Sequence, residues 1–90
     1  MSEVFDVSIK VSKGSPNCIE GHQEGDEWLM DGGKIPGGIC FSVFNCMAAD
    51  LRTLRHGGSF PWRDDKDTAQ IACPDALNPV VFELRRIREA

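Results

Sequence analysis

The chain has 90 residues, of which 41% are hydrophobic and 27% charged, with 10 basic against 14 acidic side chains and a net charge of -4. That length fits one domain over residues 1–90, and the apolar content excludes a disordered tail. No apolar run approaches the ~20 residues of a membrane span, and the acidic excess argues against nucleic acid, whose binders carry surplus Lys and Arg.

The first predicted element spans residues 4–11. Phe5, Val7, Ile9 and Val11 alternate with Asp6, Ser8 and Lys10, the period of a half-buried strand. Turn residues follow over 13–17, Lys-Gly-Ser-Pro-Asn, then an irregular stretch, 18–26, with two glycines. A short strand around Trp28 and Met30 covers 27–31. Residues 32–38 hold four glycines and a proline, which suit neither a helix nor a central strand.

The pattern turns helical after Cys40. Phe41, Phe44, Ala48 and Leu51 form one stripe, and Val43, Met47, Leu51 and Leu54 an adjacent one, together a broad apolar face. Arg52, Arg55 and His56 suit the negative end of the helix dipole, and Gly57 suits a left-handed cap. A loop over 58–66 precedes a strand over 68–73, a turn over 74–79 and a last strand over 80–87. In that strand Val80, Phe82 and Leu84 share a face. The expectation is an α+β fold of order β-β-α-β-β, a small, mainly antiparallel sheet with one helix packed on it. The basic cluster Arg85, Arg86 and Arg88 reads as part of a solvated surface; the second reading pairs it with the acidic first third (Glu3, Asp6, Glu20, Glu24, Asp26, Glu27 and Asp31), within one chain or between two.

Four cysteines carry the chemical interest: Cys18, Cys40, Cys46 and Cys73. The N-terminus has neither a signal-peptide nor a transit-peptide pattern, so the expected location is cytoplasmic, where cysteines stay free, bind metals or act in catalysis. Thiolates suit zinc and iron–sulfur clusters. No Cys-x-x-Cys knuckle occurs; the nearest local pair is Cys18 with His22, and Cys40 and Cys46 project in different directions from a helix. Free cysteine is also a common small core residue. A second reading makes Cys40 a catalytic nucleophile at the helix N-terminus, where anionic groups are favoured, with His22 or His56 as base. The glycine loop before the helix also suits an anion. Trp28 and Trp62 are expected in the core. Asp64, Asp65 and Asp67 lack the glycine and terminal glutamate of a calcium loop, so they read as a solvated loop.

Four segments in order resemble a family of small prokaryotic proteins often found in anaerobes. They are Cys18…Gly25-Asp26-Glu27-Trp28, Ile35-Pro36-Gly37-Gly38-Ile39-Cys40, Gly57-Gly58-Ser59-Phe60-Pro61-Trp62, and Ile71-Ala72-Cys73-Pro74-Asp75 followed by residues 78–87. The family pattern is Cys…Gly-x-Glu-Phe, Pro-x-Gly-Phe-Cys, Gly-Gly…Pro-Trp, and Cys-Cys-x-Asp-Gly-x-Arg-Pro-Val-x-Phe. The resemblance implies no established activity, but it matches Cys18, Cys40 and Cys73. Cys46 falls outside it and reads as a core residue. Ala72, Ala76 and Asn78 stand where the family often has cysteine, glycine and arginine. Three readings result. Cys18, Cys40 and Cys73, with His22 as fourth ligand, bind zinc, iron or an iron–sulfur cluster in an accessory protein. Alternatively, Cys40 is a reactive thiol of a small enzyme or redox protein. Or the chain is an interaction protein or homo-oligomer with packed cysteines.

Overall fold

A computed structural model describes residues 4–15, 17, 18, 20–75 and 77–88. Of the residues invoked above, Glu3, Pro16, Ile19 and Ala76 lie outside the described ones. The elements are β1 (Asp6–Lys13), β2 (Glu27–Met30), α1 (Phe41–Arg55), β3 (Thr68–Ala72) and β4 (Val81–Ile87). The strands form one sheet in the order β2-β1-β4-β3, antiparallel at every pairing, with the helix against it. This is the expected α+β arrangement.

Alternation decides which face is buried. Val7, Ile9 and Val11 of β1 lie opposite Arg86, Leu84 and Phe82 of β4, and all six are buried on the face that α1 covers. Met30 and Trp28 of β2, and Ala69 and Ile71 of β3, extend the same face outward. The first strand runs two residues further than alternation predicts. Its register shifts between Val11 and Lys13, and the Ser12 hydroxyl donates to the Val81 carbonyl, 3.2 Å.

The helix meets this floor through Val43, Met47, Leu51 and Leu54, all buried. Of the other predicted stripe, Phe44 is half-buried, but Ala48 is exposed and Phe41 is 81% exposed. A single stripe suffices because α1 lies chiefly over β3, with further contact to β1 and β4. Four strands spaced ~4.8 Å apart form a wider floor than one helix ~10 Å across can cover. The side toward β2 is therefore left to the loops.

The helix ends as Gly57 predicts. Gly57 has φ +88°; its N–H donates to Leu54 O (3.2 Å), and the Gly58 N–H donates to Thr53 O (2.8 Å). That is the paired hydrogen bonding of a Schellman cap. A Cβ at Gly58 would stand 2.7 Å from the Thr53 Cγ2 methyl, so this turn requires the second glycine as well.

Partners of the basic cluster lie close by, in the segment leading into β3 and on β4 itself. Among the described residues, Arg85 pairs with Asp65 (2.9 Å) and with Glu83 on its own strand, and Arg86 and Arg88 both pair with Asp67 (2.9 Å each). The cause is local: Asp65 and Asp67 lead into β3, which lies beside the end of β4. Hydrogen bonds from Arg88, then Arg86, hold the Asp67 carboxyl below its ordinary range. At Asp65 the Asp67 amide, then Arg85, do the same. A carboxylate depressed in the folded state leaves the unfolded chain binding more protons at low pH. The stabilisation is thus present above the unfolded value of about 4 and is lost as pH falls through the folded value. The melting temperature is expected to fall on acidification below about pH 4, and Asp67→Asn should flatten that slope. Thermal melts of both proteins across this range test the assignment; equal slopes would refute it.

Trp62 and Cys46 depart from the expected core. Trp62 is 74% exposed and stacks on Phe60 at 5.2 Å, and Cys46 is exposed on α1. Position 46 lies off the Val43–Met47–Leu54 stripe, so it faces away from the sheet.

Candidate functional site: a cleft with three cysteines

The strand register explains how distant cysteines meet. The β1 end at Lys13, the β4 start at Val81 and the β3 end at Ala72 are cross-strand neighbours, so all three lie at one end of the sheet. The chain leaves β1 there and reaches Cys18; it leaves β3 there and reaches Cys73. The Cys73 N–H donates to the Val80 carbonyl, 2.8 Å, which extends the β3–β4 ladder by one step. Strand β2 ends at the opposite end, with Met30 facing Val7. Residues 31–40 carry the chain back across the sheet, so α1 starts beside Cys18 and Cys73. Cys40 is its N-cap.

Cys18, Cys40 and Cys73 line one cleft of about 380 Å³ together with Glu20, Phe41, Ser42, Pro74, Asp75 and Asn78. All three cysteines are free and half-buried. Cys18 is held in tight turns: its N–H donates to Ser15 O, 3.3 Å, and its carbonyl accepts from the Gly21 N–H, 3.1 Å. Asp75 is held by its own turn, with Oδ1 accepting from the amides of Leu77 (3.0 Å) and Asn78 (3.3 Å). The first turn of α1 carries no acidic residue of its own; the carboxylates at this end come from Glu20 and Asp75 across the cleft.

His22 is not among the residues lining the cleft. It is buried behind Cys40, and its Nε2 accepts the Cys40 N–H at 3.0 Å. The ring stands edge-on to Trp28 (5.2 Å) and to Phe82 (5.7 Å). With Nε2 accepting, the ring proton sits on Nδ1. His22 therefore anchors the start of α1, and a metal could reach it only through Nδ1 or by releasing the Cys40 amide. His56 caps the other end of α1, about 24 Å along the helix axis from Cys40, too far to act as its base.

The carboxylates of Glu20 and Asp75 are the cleft residues that sequence reasoning did not nominate. The signal was weak: Asp75 stands two residues from Cys73, and Glu20 two residues from Cys18. Among the described residues, no three His, Cys, Asp or Glu side chains are grouped as ligands for a single ion. The donor set around the cleft is nonetheless soft, three thiols with two carboxylates beside them.

The geometry defines a small α+β domain with a three-thiol cleft at the N-terminus of its helix. Compared with models of protein families, with curated proteins and with solved structures, the chain matches none.

Proposed function

We propose that this is an accessory protein that holds a metal centre through Cys18, Cys40 and Cys73, with an iron–sulfur cluster preferred over a lone zinc. The observation that carries the reading is the convergence of three free cysteines, from three separate connections, on one cleft. Thiolates are the ligands such clusters use. Glu20 or Asp75 would supply the remaining ligand. The resemblance to the small prokaryotic family supports the choice, because these are the three cysteines that match it. The reading places the protein in the cytoplasm, where thiols stay reduced. Phe41, 81% exposed at the cleft, offers an apolar contact suited to a partner protein or a second copy. No described helix is long and apolar enough to cross a membrane.

The test is metal and acid-labile sulfide analysis, with a visible spectrum, on protein purified without oxygen or chelator. The expected result is iron with sulfide, lost in each of Cys18→Ser, Cys40→Ser and Cys73→Ser but retained in Cys46→Ser. Zinc in the same pattern would keep the site and reject the cluster. Metal-free protein would reject the site and leave the reactive-thiol reading of Cys40, which fast, selective alkylation of that residue would then support.

A further inference from the structure

A second cleft lies on the opposite flank of α1. It has a volume of about 480 Å³ and is lined by Met30, Gly33, Ile35, Phe44, Ala48, Ala49, Leu51, Arg52, Arg55 and His56. It exists because the helix leaves the β2 side of the sheet uncovered, so that Met30 forms its floor and residues 33–35 of the returning loop its wall. The volume falls within the range of small-molecule sites. Its chemistry is divided along the helix. The end near Phe44 is apolar, and the end about two to three turns later carries two guanidiniums and an imidazole.

Among the described residues, Arg52 and Arg55 form no ion pair, and no carboxylate lines the cleft. Arg55 is held in place: its Nη1 donates to Phe5 O at 3.5 Å, and its guanidinium lies beside Gly33. Arg52 is exposed on the turn before it. An apolar channel ending in two guanidiniums is complementary to one class of small molecule, an aliphatic chain with a terminal carboxylate. Phe44 to Arg55 spans about 16 Å of helix, enough for an extended chain of about ten carbons. The negative end of the helix dipole opposes an anion here, but two full positive charges within reach outweigh that partial charge.

We infer that this cleft binds a medium-chain aliphatic carboxylate, with the alkyl chain along Met30, Ile35 and Phe44 and the carboxylate on Arg52 and Arg55. The site is independent of the cysteine cleft and does not rest on a metal centre.

The experiment is titration of the full chain with decanoate below its micellar concentration, followed by amide NMR, with decanol and a decyl ammonium salt as controls. Decanoate should give saturable shifts at Gly33, Ile35, Ala48 and Arg52. Arg52→Gln should weaken binding about tenfold, the loss of one charge-assisted hydrogen bond. Ala48→Trp, at an exposed position, should block it. Folding of both variants is checked by their unshifted β4 amides. Decanol binding as tightly as decanoate, an Arg52→Gln affinity equal to the parent, shifts confined to the Cys18–Cys73 cleft, or no saturable shift at all would each overturn the inference.

Discussion

Replacing Arg86 with leucine is expected to cost about 3 kcal/mol or more, the range for breaking a buried charged network. For a domain of this size that lowers the melting temperature by well over 10 °C, at roughly 4–8 °C per kcal/mol. The Arg86 side chain is 2% exposed. Its Nη1 donates to Leu54 O (3.1 Å) and Gly58 O (2.7 Å), its Nη2 to Lys66 O (2.8 Å), and its Nε to Asp67 Oδ1 (3.0 Å). One guanidinium thus joins β4 to the last turn of α1, to the turn after it, and to the segment entering β3. Its backbone takes part too, since the Arg86 N–H donates to Asp67 O at 2.7 Å. Leucine would fill the volume but strand the Gly58 and Lys66 carbonyls, leave Leu54 O with the Gly57 N–H alone, and leave Asp67 to Arg88. Lysine cannot reproduce the fork and should recover only part of the loss. The comparison is Arg85→Leu one residue away, whose pair with Asp65 is exposed on both sides, so its loss should be far smaller. Urea denaturation of the three variants measures this directly. Equal losses for positions 85 and 86 would show that burial of the Arg86 network contributes nothing.

Arg86 also marks the limit of what the sequence discloses. The alternation of Val80, Phe82 and Leu84 was legible, and continuing it by one step places Arg86 on the same inner face. An arginine there contradicts the pattern unless it has buried partners, and those partners lie up to 32 residues away. The eye therefore groups it with Arg85 and Arg88 as a surface cluster. The elements themselves are legible because they are short-range: period two for the strands, period 3.6 for α1, and two consecutive glycines for its cap. Strand order is not legible, because nothing within β1 says that β4 rather than a fifth strand lies on its far side. The three-cysteine cleft depends on that order. Cys18, Cys40 and Cys73 were recognisable as residues at element ends. Their meeting depends on β1, β3 and β4 sharing one end of the sheet, a long-range fact. The exposed Phe41 has the same origin. It matches a helical stripe, but it occupies the first turn, beside the cysteine cleft rather than over the strands.

His22 joins that long-range geometry to the candidate chemistry, and His22→Ala is expected to disturb both. The ring is buried against Trp28 and Phe82, and its Nε2 is the partner of the Cys40 amide. Removing it opens a void and orphans an N–H at the start of α1, a combined cost of about 2–4 kcal/mol. His22→Phe separates the two contributions, because phenylalanine keeps an aromatic body but offers no acceptor; its loss should be about 1–3 kcal/mol. A spectator histidine would behave differently, with His22→Phe as stable as the parent. The second readout is chemical. Cys40 is placed in the cleft by its backbone, and the backbone is placed by the histidine. In both variants Cys40 should therefore be alkylated faster than in the parent, while the exposed Cys46 is alkylated at an unchanged rate. Mass spectrometry of iodoacetamide-treated protein reports both thiols in one sample. If Cys40 and Cys46 both react as in the parent while stability falls, His22 supports the core alone and the cleft is organised by its loops. If Cys40 is released selectively, the imidazole is the positioning group of the three-thiol cleft, acting through the amide of the residue that caps the helix.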